Sequence, residues 1–360
     1  MGTYTKLKKA GVGFLHWLEV DFGGWAARRS INRKLHKRYL KNVQKSDPEY
    51  NRKVEAYWKP YGVRFDKDWH RFYSQSTGMQ DPRFIPDDIY FTVIDRHLNQ
   101  RHLARGLKDK NHFSLLFPEI KHPKVVVRRM NGQWVSENHE IMTSDEAYHL
   151  LSKQQDLIIK PSIQSGGGKG IEFWQATDGM DDLHKKVEKT GQNVIVQQVI
   201  EQHENLAHLH KESVNTVRMM TFADRGKVHV LSSVLRMGIG GKRVDNAHAG
   251  GISAGILPSG QLKSFAFSED GVRYDQHPSG AKFEDCTIPN FGSLMDQIQR
   301  MHGKLLHFRL LSWDIAIGKD AQPILVEANL YCGAIDLLQL NNGPLFGELT
   351  ERVLEDIYGK

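Results

Sequence analysis

The apolar and polar positions divide the chain at about residue 105. From Thr3 to Arg105 the sequence leans helical, punctuated by Asp47-Pro48, Lys59-Pro60, Asp81-Pro82 and Ile85-Pro86, dipeptides that stop helices or open turns. It shows no βαβ pattern, so a dinucleotide-binding lobe is not expected there. From Leu107 the texture changes. A helical stretch over 109–117 leads to the strand KVVVRRM (124–130), a turn at Asn131-Gly132, and a helix that opens after the Thr143/Ser144 cap with Asp145 and Glu146 in its first turn. The strand DLIIKP (156–161) follows, then strand-like runs over 171–174, 193–200, 214–222, 227–237 and 250–257. A helix over 295–306 precedes a hairpin at 312–330, and another over 346–358 closes the chain. Strands and helices mixed in this order predict α+β lobes with largely antiparallel sheets. No internal repeat or low-complexity segment interrupts the pattern.

The hairpin SWDIAIGKDAQPILVEANL holds the most chemistry. Strand-like 313–317 and 324–328 flank the turn-rich GKDAQP, and a hairpin centred between Asp320 and Ala321 sets Asp314 directly opposite Glu327, with Asn329 on the same face. Like charges roughly 5 Å apart oppose strand pairing, so an apolar hairpin that tolerates them is expected to hold a cation between them. An all-oxygen set suits Mg²⁺, which keeps waters and substrate phosphates as its remaining ligands. Two exposed acids flanking a turn are the plainer alternative.

Other positions gain weight beside that hairpin. Lys160 ends an apolar strand, and five residues later SGGGKG offers glycine amides that can close on phosphate oxygens, with Lys169 as a point charge. It is not a Walker loop, because Gly170 follows the lysine; a simple hairpin turn is the competing reading. A strand leaving its sheet after Gln198 would free the backbone of Val199 and Ile200 for an adenine edge. Arg218 sits inside the apolar run VNTVRMMTF and requires an anion, either a ligand's phosphate or carboxylate or a structural ion-pair partner. Arg236 and the loop GKRVDNAHAGG raise the same question, and Asp245, Asn246 and His248, beside glycines, fit a mobile lid over a substrate.

At 360 residues the chain can bury a sizeable core and form two or three lobes. Two cysteines without metal-type spacing, and no leader-like or membrane-length apolar run, point to a reducing, cytoplasmic setting. The net charge of +7 favours anionic partners. Residues 1–53 hold thirteen Lys or Arg against four acids, so the rest of the chain is nearly neutral. Mixed with Phe14, Leu15, Trp17, Leu18, Phe22 and Trp25, this charge suits either a helical lobe with a solvated basic face or a surface for an anionic membrane or a polysaccharide assembly complex. No nucleic-acid reader motif accompanies it.

Taken in order, Asp109-Lys110-Asn111, IIKP with SGGGKG, Gln202-His203, Ser213 to Arg218 (SVNTVR), Val244 to Ile252 (VDNAHAGGI), His277 to Gly280 (HPSG), and WDIAI followed by VEAN resemble the ATP-grasp superfamily, and in phrasing its sugar-transfer associated branch, which includes teichuronic-acid-type polysaccharide proteins. The series covers roughly residues 105–345. The resemblance implies an α+β ATP-grasp fold, two lobes gripping ATP behind a helical basic N-terminal lobe, divided as 1–105, 106–200 and 201–360. It implies Mg²⁺ on Asp314, Glu327 and Asn329. Lys110 and Lys160 would meet the ATP phosphates, and the loop Ser165, Gly166, Gly167, Gly168 and Lys169 would cover them. Gln198 to Ile200 would read adenine, and Glu204, with Glu201 competing, would take the ribose.

The implied chemistry is an ADP-forming carboxylate–amine ligation through an acylphosphate, with Arg218, Arg236 or Arg243 stabilising the developing anion. The group's association with sugar transfer implies a uronic acid on a nucleotide sugar or glycan as carboxylate, and an amino acid or ammonia as amine. A sugar kinase and a non-catalytic ATP-binding regulator of a polysaccharide assembly complex are the alternatives. Two departures stand out. Ser312 replaces the arginine found two residues before the metal-binding aspartate in D-alanine ligase-like members, and LYCG (330–333) replaces the common Pro-Gly turn.

Overall fold

The computed structural model describes residues 23–41, 43–44, 47–163, 168–241 and 250–359. Ser165, Gly166, Gly167, Arg243, Asp245, Asn246, His248 and the apolar residues from Phe14 to Phe22 lie outside the described residues. The chain forms two compact units, one of Met1–Asn99, Asp270–Val272 and Ala334–Lys360, the other of Gln100–Glu269 and Arg273–Gly333.

The first unit is helical, as its sequence leans. Proline begins rather than ends the helix Pro48–Trp58, because Asp47 caps it by accepting the Glu49 N–H at 2.9 Å. The core is aromatic: Tyr50, Trp58, Trp69, Phe72, Tyr73 and Phe84 are buried, and Tyr73 stacks on Phe84 at 5.1 Å. The tail joins this core through Gln339, whose amide both donates to and accepts from the Ile85 backbone at 2.9 Å.

Among its described residues the second unit contains thirteen strands: β1 (Val125–Met130), β2 (Gln133–Val135), β3 (Ile141–Met142), β4 (Asp156–Pro161), β5 (Glu172–Gln175), β6 (Val194–Gln198), β7 (Thr216–Asp224), β8 (Lys227–Met237), β9 (Ile252–Ile256), β10 (Leu262–Ser268), β11 (Arg273–Tyr274), β12 (Leu310–Ile317) and β13 (Pro323–Asn329). A six-stranded sheet runs β3-β2-β1-β6-β4-β5 and a seven-stranded sheet β11-β10-β9-β8-β7-β12-β13. Every ladder between the named strands is antiparallel. The helix Ser144–Leu151 opens on the expected capping box, Thr143 with Glu146. The helix Met180–Thr190 and strands β10 and β11 had no counterpart in the sequence pattern, and the helix placed at 295–306 begins earlier, as Phe291–His302.

Each sheet has its own core. Val127, Leu157, Ile159, Trp174, Leu183 and Val196 fill the first. Trp313, Ile315, Val217, Leu235, Ile298 and Phe308 belong to the second, and so do Phe113, Phe117 and Ile120 from the stretch before β1. Phe117 packs edge-on against Trp313 at 5.4 Å, and the Lys121 carbonyl accepts the Leu325 N–H at 2.8 Å. This stretch therefore bridges the hairpin strand β13 in parallel at Lys121 before the chain enters the first sheet.

Candidate active site

The β12–β13 hairpin brings the two carboxylates together by a route that its alternation alone would miss. Near the turn Ile317 pairs with Pro323 and Ile315 with Leu325, but a bulge follows and restores Asp314 opposite Glu327 and Ser312 opposite Asn329. Without it Glu327 would fall on the face of Leu325, inside the core. The extra residue lets Val326 line the cleft while Glu327 stays level with Asp314.

Opposed carboxylates would repel, and the expected remedy was a metal ion. Cationic side chains already stand against both carboxylates within the chain. Arg218, directly across from Asp314 on β7, grips it with Nε and Nη2 at 2.8 Å each, and Arg236 from β8 adds a contact at 3.3 Å. Burial would raise the Asp314 carboxyl, but the two guanidinium groups overcome it and hold it below the usual carboxylate range. Lys110 Nζ reaches Glu327 Oε1 at 3.0 Å. The anion that Arg218 requires is thus found within the chain.

Lys160 makes the cleft strongly positive. It stands on β4, 7% exposed, and lines the crevice with Lys110, Arg128, Gln197 and Val326. Burial pushes its ammonium down to about 8, nearby Lys110 acts in the same direction, and Glu327 opposes them. No hydrogen-bond or ion-pair partner is found for it among the described residues. Among the described residues Lys110, Lys160, Arg218 and Arg236 thus gather around the carboxylates of Asp314 and Glu327.

Local structure explains how the lysines are aimed. Asp109 caps the turn Lys110–His112 by accepting the Asn111 N–H, and the Lys110 N–H donates to the Ser162 carbonyl at 3.0 Å. That bond ties the Lys110 turn to the residues just after β4, where the glycine-rich loop begins. Gly168 and Gly170 adopt φ of 74° and 76°, and a side chain at Gly170 would crowd Pro161. Lys169 is exposed.

The strand β6 does end at Gln198, whose N–H donates to the Lys124 carbonyl and whose side chain donates to Gln154. Val199 and Ile200 then cross to the second sheet, which the chain rejoins at Gln202 beside Gly318. Glu204 is exposed at the start of the helix Glu204–Leu209, while Glu201 pairs with Lys319 at 3.2 Å.

The donor set also passes a test for a hard cation. Asp314, Glu327 and Asn329 present oxygen chemistry on one face, and the Asn329 amide nitrogen is buried with no partner among the described residues. Amide O and N are interchangeable by a flip, so a cation could satisfy this orphan. Ser312 Oγ, opposite it, is likewise buried and unpartnered.

Several motif residues lie elsewhere in the second lobe. Gln202 donates to the carbonyls of His210 and Ser213 and accepts from Asn215, whose amide also donates to Leu206 and His210. His277 contacts the Gly238 carbonyl at 2.9 Å and Ser279 Oγ at 2.9 Å, and its ring lies 5.8 Å from that of His210. Burial keeps both imidazoles below their usual pKa. This network clamps the end of β8. The sequence carried its residues as motifs but offered no sign that they brace rather than react.

Two antiparallel sheets, with a crevice lined from both and the in-register carboxylate hairpin beside it, make up the second unit. A model of the family described as sugar-transfer associated ATP-grasp matches residues 92–354, and the chain belongs to that family. Its fold is the α+β ATP-grasp fold with a helical N-terminal region. No curated protein matches the chain. Among solved structures it is similar to the D-cycloserine synthetase DcsG, at 13% identity over 71% of this chain and 73% of that one with a TM-score of 0.44. It is also similar to the D-alanyl-alanine synthetase A of Vibrio cholerae O1, at 12% identity over 70% and 65% with a TM-score of 0.41. A third is the N5-carboxyaminoimidazole synthetase of Staphylococcus aureus complexed with ADP, at 9% identity over 72% and 52%, also with a TM-score of 0.41. Among the described residues no helix is long and apolar enough to cross a membrane.

Proposed function

We propose that the chain is an ATP-dependent carboxylate–amine ligase, acting on a uronic acid of a nucleotide sugar or glycan and on an amino acid or ammonia, in the synthesis of a surface polysaccharide. The observation that carries this reading is the convergence of Lys110, Lys160, Arg218 and Arg236 on the Asp314–Glu327 pair. The family's name supports the sugar.

In this reading a carboxylate oxygen of the acceptor attacks the γ-phosphorus of ATP, ADP leaves, and the amine displaces phosphate from the acylphosphate, releasing a proton as the amide forms. Lys160 and Lys110 hold the phosphates, and the glycine-rich turn ending at Gly168 and Lys169 closes over them. Asp314, Glu327 and Asn329 would hold Mg²⁺, which supplies Lewis acidity toward phosphate oxygens when bound. Arg218 and Arg236, fixed by Asp314, present their remaining N–H groups to the charge that develops on the acceptor. The backbone of Val199 and Ile200 receives the adenine edge, and Glu204 the ribose.

The deciding experiment follows ADP and product mass with Mg·ATP, pooled nucleotide-activated uronic acids and pooled amino acids. A condensation mass requiring both pools supports the ligase. A stable phosphosugar replaces it with a kinase, and nucleotide binding without turnover on these or glycan acceptors replaces it with a regulator.

A further inference from the structure

The basic N-terminal stretch plays no part in the ligase chemistry. Between Phe22 and Ser46 the chain carries eight Lys or Arg and neither Asp nor Glu. Its described part begins with the helix Gly23–Lys34, continued by the π-helical turn Leu35–Tyr39. One face packs on the first unit's aromatic core. Leu35 and Tyr39 are buried, and Tyr39 stacks on Phe72 at 5.0 Å. Asn32 accepts from Trp69 Nε1 at 3.0 Å and donates to Asp88 at 3.2 Å, and Arg28 lies 3.8 Å from Asp88.

The face turned away from these contacts is a cationic row. Trp25, Arg29, Arg33, Lys37 and Lys41 recur at every fourth position and all are exposed, Trp25 by 56%. A four-residue step overshoots a 3.6-residue turn by about 40°. The wider π-helical turn, bonded i to i+5, falls short over the same step and keeps the row on one side. Arg29 Cζ stands 5.4 Å from the centroid of the Trp25 ring. Carboxylates that reach this segment meet other groups, Asp88 with Asn32 and Arg28, and Asp66 and Asp68 with His36 at 2.7 and 3.6 Å. Among the described residues none is found against Arg29, Arg33, Lys37 or Lys41.

The charge of the row selects its occupant. A second copy docked through the same face would set like charge on like. Residues 1–22, with Lys6, Lys8 and Lys9 against Glu19 and Asp21, are no complement either. An anionic bilayer fits both chemistries of the row. Its phosphates attract the cations at the ends of long Arg and Lys stems, and an indole settles at the level of the headgroups. A soluble polyanion would answer the charges and offer nothing to Trp25.

We propose that Trp25, Arg29, Arg33, Lys37 and Lys41 dock this protein on the surface of an anionic phospholipid bilayer, with the helix lying along it. The docking is independent of the ligase reading.

The test sediments the full chain with vesicles of phosphatidylcholine alone and of phosphatidylcholine and phosphatidylglycerol in equal parts, and titrates it with dextran sulfate as a soluble polyanion. Wild type is expected to bind the anionic vesicles at least tenfold more tightly than the neutral ones, and to release them as salt rises from about 0.1 to about 0.5 M. Arg33→Glu combined with Lys37→Glu is expected to lose tenfold or more of that affinity, and Arg33→Lys with Lys37→Arg to stay within twofold. Trp25→Ser is expected to lose several-fold on vesicles while its affinity for dextran sulfate is unchanged, a split that charge alone would not produce. Equal binding to the two kinds of vesicle, or equal binding by wild type and the double charge reversal, overturns the proposal. Binding to dextran sulfate without binding to vesicles also overturns it and assigns the row to a soluble polyanion. If the charge reversal disturbs thermal unfolding, Trp25→Ser decides in its place, and vesicle affinity equal to wild type overturns the docking.

Discussion

Two buried polar clusters of the second unit are built from the same kind of material and differ in whether their groups are satisfied. Around Gln202, Asn215, His210 and His277, most donors and acceptors are matched within the chain, with the Asn215 oxygen and His210 Nε2 as exceptions. In the cleft Lys160 has no partner among the described residues, and Asn329 and Ser312 carry orphaned atoms there. A matched network rigidifies, whereas an unmatched one costs stability until a ligand completes it. The motif residues thus separate into those largely matched within the second sheet's own network and those left unmatched in the cleft.

That contrast can be broken most severely at Glu327. Glu327→Ala should lower turnover by on the order of 10³-fold, as expected when an electrostatic element of a transition-state site is lost; near-normal ADP release would remove Glu327 from the site. In the brace the loss falls on stability. Asn215→Ala, which deletes hydrogen bonds to Gln202, Leu206 and His210, should cost about 2–4 kcal/mol of stability by denaturant unfolding, and Gly238→Ala, whose Cβ would meet Ser213 Oγ at 2.7 Å, about 1–3 kcal/mol.

Lys160 sharpens the comparison further. Lys160→Met should weaken ATP use by about 1–3 kcal/mol, the scale of a charge-assisted contact, yet raise the unliganded melting temperature, because it removes an unpaired buried charge. A lowered melting temperature would place Lys160 among the braces. The smallest effect is in the pH dependence. Folding lowers this ammonium from 10.5 to about 8, so between those values the unfolded chain binds more protons and stability rises with pH. Wild type minus Lys160→Met should show that rise across pH 8 to 10.5 and no slope from this group at neutral pH.

Much of the fold was legible because the signals were local. The Thr143–Glu146 capping box and the apolar runs of β4, β7 and β8 follow from short-range patterns. Other features depend on contacts distant in sequence. The helix Met180–Thr190 is largely polar, with only Leu183 and Val187 buried, so its pattern was faint. Arg218 could be read as needing an anion, but whether that anion was a ligand or Asp314, 96 positions away, could not.

By itself the sequence determined the family, the antiparallel α+β organisation and the residue types that meet at the hairpin, because hydrophobic period, caps and turn residues act over a few positions. Only the tertiary structure decided that a bulge after Leu325 rescues the Asp314–Glu327 facing, that Arg218 and Arg236 are already bound to Asp314, and that Lys160 is left without a partner. The physical reason is that burial, charge compensation and hydrogen-bond satisfaction are properties of what the fold places around a residue, and residues 110, 160, 218 and 314 become neighbours only when the two sheets close on one another.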